Sequence, residues 1–406
     1  MGKKLILFTR RFPYHTTEAF IESEITFLAS RFQEIVIFPT ETAPLKRSLP
    51  ANVRVSTAFA ETYKHKNKRL LKALFSPKFY KAIGEHKKYS GSSAGLKVLT
   101  KYMATYLSYY DFFRKNKDIT DAQVLYCYWL NEAPLALAQV NKERKMSAKI
   151  IARAHRYDIY ENLDSTQLFW PYRMQTINNT DAIFVISSDG KEYLENKYPQ
   201  AASNIQVSKL GVTDRGHIAK SSPEDTFSIV SVSRVHRVKR VDLIYRSIAE
   251  FALRYPQKQI LWTHFGDGPE LGEIRLTALS KPSNMTISFR GNVANTVVYE
   301  HYLEQAVDVF INLSSSEGIP VSIMEAISFG IPAVATHVGG NGEIVVPKTG
   351  ILMPQDPTTA EVAEALRAVL IGRQVDKQQV KQYYLDHYNA ERNYEQFSES
   401  IVKLIS

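Results

Sequence analysis

The strongest constraint on this chain is a succession of short, continuously apolar runs, mostly separated by helical patterns. KLILFT, EIVIFPT, QVLYCYWL, KIIARAH and DAIFVISS lie in the first half, and FSIVSVSR, QILWTHFG, MTISFRG, VDVFINL and PAVATHV in the second. A strand that is apolar along its whole length is covered on both faces. Strands of this kind alternating with helices specify parallel sheets between helical layers. Single cores seldom grow past roughly 250–300 residues, so a chain of 406 residues builds two such units. The polar, turn-rich stretch VTDRGHIAKSSPEDT separates the halves and marks the junction. The expected architecture is α/β with two Rossmann-like domains, residues 1–212 and 227–385. A linker at 213–226 joins them, and a helical segment at 386–406 closes the chain.

Cysteine and charge usage limit the remaining classes. Cys127 is the single cysteine, so no intramolecular disulfide forms and no oxidising compartment is implied. The opening MGKKLILFTRRF holds four consecutive apolar residues, too few for a signal-peptide core, and no run approaches the ~20 residues that cross a bilayer. A cytoplasmic location is expected. The net charge of +10 is concentrated between residues 64 and 101, where Lys64, Lys66, Lys68, Arg69, Lys72, Lys78, Lys81, Lys87, Lys88 and Lys97 are interleaved with Leu70, Leu71, Leu74, Phe75, Phe79 and Tyr80. A basic, amphipathic and aromatic surface suits the anionic inner face of the cytoplasmic membrane. The alternative is a solvated helix pair with an ordinary core face. No recognition motif for nucleic acid accompanies the charge, and no nucleic-acid partner is expected.

In parallel sheets ligands bind at the carboxyl ends of strands, where loops lead into helix N-termini. VDVFINL is followed there by SSSEGIPVSIME, which places Glu317 in a loop and Glu325 inside the next helix, expected over about Pro320 to Phe329. The N–H groups of Gly318, Ile319 and Val321 are free at such a helix start and can hold oxygens of an anionic or polyhydroxyl ligand. Pro320 suits the first helical position, and Gly330 the position just past the end. SRVHRVKR follows FSIVSV and sets Arg234 and Lys239 five residues apart, where a guanidinium and an ammonium can converge on a diphosphate. His155 ends KIIARAH, with Asp158 one turn on. HFGDGPELGEI has the spacing G-x-G-x-x-x-G with Pro269 after the second glycine, which departs from the dinucleotide fingerprint and reads as a tight strand–helix turn.

Taken together, these segments resemble the retaining glycosyltransferases of family four, which have the two-domain GT-B fold. SRVHRVKR is similar to that family's Arg and Lys segment, HFGDGPEL to its glycine turn, and FRGNV to the segment beside the nucleobase. EGIPVSIMEAISFGIPAVAT is similar to its E-x7-E helix, and VGGNGEIV with KTGILM to the segments that close the domain. The start FPYHTTEAFIESEITFL is similar to that of members building surface polysaccharides. The sequence departs from the pattern at two places. Paired glycines are absent from the first loop, and Arg240 stands where a glycine commonly follows the Lys.

The resemblance implies two domains facing each other across a cleft, with the last helix crossing back to the first domain. It implies that a UDP- or GDP-sugar donor meets Arg234 and Lys239 through its diphosphate, Glu325 through its ribose, and Asn292 and Val293 beside its base. Glu317, followed by Gly318, Ile319, Pro320 and Val321, would hold the sugar. His155 would lie near the reacting centre, and Thr17 and Glu18 on the side of the acceptor, a glycan or lipid-linked oligosaccharide. Retention of configuration is likewise implied, by front-face attack or by double displacement on Glu317. No metal or other cofactor is expected, since the fixed cations serve the leaving diphosphate. A sugar-nucleotide epimerase of similar architecture and a non-catalytic nucleotide-sugar-binding scaffold are the competing readings.

Overall fold

The computed structural model describes residues 3–15, 18, 20–161 and 168–406. It divides into two compact units, one of Met1–Leu210 with Tyr394–Ser406 and the other of Gly211–Asn393.

The first unit is built on seven strands: β1 (Lys4–Thr9), β2 (Glu34–Pro39), β3 (Val53–Val55), β4 (Val124–Cys127), β5 (Lys149–Ala154), β6 (Ala182–Val185) and β7 (Ile205–Val207). They pair in parallel in the order β3-β2-β1-β4-β5-β6-β7. Leu5 of β1 lies in register with Ile35 on one side and Val124 on the other. Every residue of β1 is buried, as its continuous apolar run requires. Between β3 and β4 the basic segment folds into helices, including Ala58–Tyr63, Lys66–Leu74, Pro77–Glu85 and Ser93–Phe113. Ser92 starts the longest of these by accepting from the Gly95 N–H at 3.0 Å. Ala73, Phe79, Ala82, Val98 and Leu99 turn inward from these helices to the core.

Beneath the opposite face of the sheet, Glu24 and Arg153 form an ion pair at 3.3 Å with both side chains fully buried. Tyr126 donates to Glu24 at 2.7 Å, and the Arg153 guanidinium lies 4.4 Å from the ring of Phe397. Phe397 and Ile401 belong to the helix Ala390–Lys403 and are buried in this core.

The second unit has six parallel strands: β8 (Thr226–Val232), β9 (Gln259–Phe265), β10 (Met285–Phe289), β11 (Val309–Asn312), β12 (Ala333–Thr336) and β13 (Gly350–Met353). Their order is β10-β9-β8-β11-β12-β13. The polar stretch expected to be a linker belongs to this unit and is tied down. Lys377 Nζ donates to the carbonyls of Ala219, Lys220 and Val307, and Lys381 pairs with Asp214. The closing segment, residues 386–406, holds the end of the helix Lys377–His387 and the helix Ala390–Lys403, and its part from Tyr394 onward belongs to the first unit.

Candidate functional site

The carboxyl ends of β8, β9 and β10 surround a pocket of about 730 Å³, lined by Arg234, Asp267, Asn292, Val293 and Asn295 among others. Glycines let these loops pack backbone to backbone. Gly266 has φ +143°, and a Cβ on it would stand 1.8 Å from the Ser233 carbonyl oxygen. The Gly266 N–H donates to the Gly291 carbonyl at 2.8 Å, which joins the HFGDG and FRGN segments. Its use is therefore close loop packing beside a pocket. Behind it His264 is fully buried, accepts or donates at 2.8 Å with Ser231 Oγ, and is pushed down to about 4 by burial.

At the end of β11, three donors converge on one oxygen. Glu317 Oε1 accepts from Lys239 Nζ at 2.6 Å, Ser314 Oγ at 2.7 Å and Asn312 Nδ2 at 3.2 Å. The Glu317 side chain is 9% and that of Lys239 27% exposed, so this is a partly buried ion pair. Gly339 (φ +49°) backs the loop. A Cβ there would stand 2.1 Å from the Glu317 carbonyl oxygen, and the next N–H, of Gly340, donates to Gly318 at 2.7 Å. The helix runs Val321–Ser328, with Pro320 as its N-cap and Gly330 (φ +68°) beyond its end. None of the N–H groups of Gly318, Ile319 and Val321 donates to a backbone carbonyl among the described residues. That leaves a row of donors beside the Lys239–Glu317 pair.

Arg240 accounts for the departure at the position where a glycine commonly stands. Its backbone is left-handed, φ +47° and ψ +45°, a conformation that favours glycine. Its guanidinium offsets the strain: Nε donates to the Leu313 carbonyl at 2.5 Å, and Nη2 donates to those of Ser314 at 3.0 Å and Gln355 at 2.6 Å. Nη1 pairs with Asp356 at 2.8 Å. The residue after Lys239 thus ties the cation loop to the strand end that leads to Glu317.

Glu325 is 5% exposed and accepts from Asn295 Nδ2 at 2.6 Å and Tyr299 Oη at 2.9 Å. Burial raises its pKa, and these two donors oppose the rise. Asn295 also lines the pocket, so Glu325 is one side chain removed from Arg234, Asn292 and Val293. Arg234 is exposed and lies at the pocket, whereas Lys239 is paired with Glu317 and keeps 27% of its side chain exposed. Asn295, Tyr299, Asn312 and Ser314 were not singled out from the sequence. Asn312 carried a signal, as an amide closing a strand otherwise buried and apolar.

In the first unit His155 caps the start of a one-turn helix, with rings of Tyr128 and Trp129 at 4.7 and 4.8 Å. Burial and the Arg153 charge push it down to about 3, so its imidazole is neutral, and its Nε2 is buried without a hydrogen-bond partner. Asp158 accepts from the His155 N–H at 2.6 Å and from the Leu130 N–H. Glu18 binds its own loop: it accepts from the N–H groups of Arg10, Arg11 and Phe12 at 3.0, 2.6 and 2.7 Å, and from Trp129 Nε1 at 2.5 Å. Thr17 lies outside the described residues.

Over 235 residues the chain is 24% identical to the GtfA subunit of UDP-N-acetylglucosamine–peptide N-acetylglucosaminyltransferase from Streptococcus pneumoniae, covering 55% of this chain and 45% of that protein. The chain spans about half the length of the curated relatives it matches first. Among solved structures it superposes on the apo form of the lipopolysaccharide outer core galactosyltransferase WaaB with a TM-score of 0.68 at 16% identity, covering 98% of this chain and 99% of that one. It superposes on Anabaena HepE, in complex with UDP and glucose, with a TM-score of 0.59 at 15% identity, covering 98% and 99%. The chain carries the GT-B fold of these neighbours, and its residues 214–385 match the family of glycosyl transferases group 1.

Proposed function

We propose that this protein is a retaining glycosyltransferase that moves a sugar from a UDP-sugar to a hydroxyl of a glycan or lipid-linked acceptor in cell-surface polysaccharide synthesis. The observation that carries the reading is the cluster at the end of β11. A buried carboxylate is paired there with Lys239, beside a row of undonated N–H groups, in the unit that also holds the Arg234 pocket. UDP is preferred to GDP because HepE was crystallised with UDP and glucose.

In the transfer the anomeric C–O bond to phosphate breaks, and its electron pair leaves with the diphosphate. The acceptor oxygen bonds to the anomeric carbon, and its proton passes to the departing phosphate. Positive charge grows on the sugar and negative charge on the diphosphate, where Arg234, Lys239 and the helix N–H groups stabilise it without need of a metal. Glu317 Oε1 already accepts three hydrogen bonds, which lowers its nucleophilicity. That favours a holding role and front-face attack. His155, neutral and with Nε2 unpartnered, suits a single hydrogen bond to a sugar hydroxyl and not general-acid work. Glu325 would meet the ribose alongside Asn295.

The membrane part of the reading rests on the helices after β3. Phe75 is 81%, Tyr80 63% and Leu71 55% exposed among the lysines, and each base near an anionic surface adds about 1 kcal/mol. Among the described residues no helix is long and apolar enough to cross a membrane. Co-sedimentation with anionic vesicles that survives Phe75→Ser together with Lys72→Gln would remove this part. For the chemistry, transfer is measured from a panel of UDP- and GDP-sugars with wild type, Glu317→Gln and Lys239→Ala. Loss of at least about a hundredfold is expected, since each removes charge stabilisation worth roughly 2.7 kcal/mol or more. Full turnover in both variants sinks the assignment.

A further inference from the structure

The first unit contains its own cavity of about 570 Å³, within the range that encloses small-molecule ligands. The ends of β1 and β4 form one side of it, through Phe8, Thr9 and Cys127, and the helices Lys66–Leu74 and Ser93–Phe113 form another. Its rings include Tyr102, Trp129 and Trp170, flat faces of the kind that receive the C–H faces of a pyranose.

The charges around it do not cancel. Glu41 is taken by Arg10 at 3.0 Å and Arg11 at 2.6 Å, and Asp158 by the backbone N–H groups of His155 and Leu130. Glu132 is raised to about 7 by burial, with the Arg173 and Arg69 charges opposing the rise, so it offsets Arg69 only in part. On the other side stand Lys66, Arg69 and Lys101, whose side chains make no hydrogen bond or ion pair with another side chain among the described residues. The Arg69 guanidinium carbon lies over the Tyr63 ring, 3.6 Å from its centre, and its Nε is buried with no hydrogen-bond partner. A guanidinium held in place by stacking, with a buried donor unspent, is poised for an anion.

We propose that this cavity binds the acceptor as an anionic saccharide, its ring stacked on the aromatic residues and its phosphate or carboxylate held by Lys66, Arg69 and Lys101. Calling the ligand the acceptor rests on the glycosyltransferase reading, whereas the binding chemistry stands without it.

Two of the three tryptophans, Trp129 and Trp170, line the cavity, and the third, Trp262, is buried in the other unit. Tryptophan quenching and saturation-transfer NMR on the full chain therefore read this site directly. The probes are glucose 1-phosphate, glucuronate, methyl α-glucopyranoside and inorganic phosphate, at low ionic strength. Glucose 1-phosphate or glucuronate should bind at least about tenfold more tightly than either the neutral glycoside or phosphate alone. Whichever of the two binds names the anion. Arg69→Gln should weaken that binding about tenfold, the equivalent of one charge-assisted hydrogen bond. Lys101→Gln, a change at an exposed position, provides the same test if Arg69→Gln melts early. Equal binding of the neutral glycoside, equal binding of bare phosphate, or unchanged binding by Lys101→Gln at an unchanged melting temperature overturns the proposal. Anionic saccharide binding without turnover of any nucleotide-sugar would instead count against the enzymatic reading and leave the cavity's chemistry standing.

Discussion

Replacing Arg240 by alanine and by glycine separates two energies that the wild-type residue combines. Its side chain is 17% exposed, and three of its bonds run from a charged donor to main-chain carbonyls. At about 1 kcal/mol each, these amount to roughly 3 kcal/mol. The fourth partner, Asp356, is 80% exposed and adds little. Alanine loses the bonds and keeps the left-handed backbone, so Arg240→Ala should cost about 3 kcal/mol. Glycine loses the same bonds but sheds the Cβ clash, worth on the order of 1 kcal/mol after its own entropic cost, so Arg240→Gly should cost about 2. For a domain of this size 1 kcal/mol moves the melting temperature by roughly 2–4 °C, which makes the difference measurable. Thermal unfolding followed through Trp262, buried in the same unit, is the assay. A glycine variant no more stable than the alanine variant refutes the strain argument. Two variants both as stable as wild type refute the account of the guanidinium.

Three further outcomes follow from the geometry. Glu24→Ala leaves Arg153 buried and unpaired and should cost about 3–5 kcal/mol in urea unfolding, while Glu24→Met with Arg153→Met should recover much of that loss. Gly339→Ala drives a Cβ to 2.1 Å from the Glu317 carbonyl and should reduce UDP binding in a titration. Gly216→Ala, left-handed at φ +72° but with open space around it, should cost only about 1 kcal/mol and spare binding. His155 titrates near 6.5 when unfolded and about 3 when folded, so above 6.5 it is neutral in both states and contributes no slope. As pH falls from 6.5 towards 3 the unfolded chain alone gains the proton, and stability drops by at most about 1.4 kcal/mol per unit. The stability gap between wild type and His155→Gln should therefore narrow on acidification, and parallel curves would contradict the buried, neutral assignment.

The runs quoted from the sequence correspond to strands of the two sheets, and the strands they omit share a place. β3 (VRV), β7 (IQV) and β13 (GILM) are all at sheet edges, with one neighbour each. These three have only three or four residues each, too short for the run that betrays a longer strand, whereas the remaining edge strand, β10, has five and is among the runs quoted. The site divides in the same way. Glu317 and Lys239 stood out because they follow strong strands, but their mutual contact joins residues 78 apart and no local pattern encodes it. Glu18 had a family context and turned out to hold N–H groups of its own loop, a use visible only once the chain is folded. Arg240 looked like an anomaly because its compensation comes from Leu313, Ser314 and Gln355, far away in sequence.

The first unit is assembled from two separated pieces of chain, with the whole of the second unit made between them. During synthesis the contiguous second unit can complete its core as soon as it emerges. The face of the first sheet that receives Phe397 and Ile401 waits until residues 394–406 have been made. Through that interval Leu5, Ile35, Tyr126 and Phe184 lack part of their cover, and the Glu24–Arg153 pair lacks the ring that closes over it. The sheet made before the second unit is thus sealed only after it.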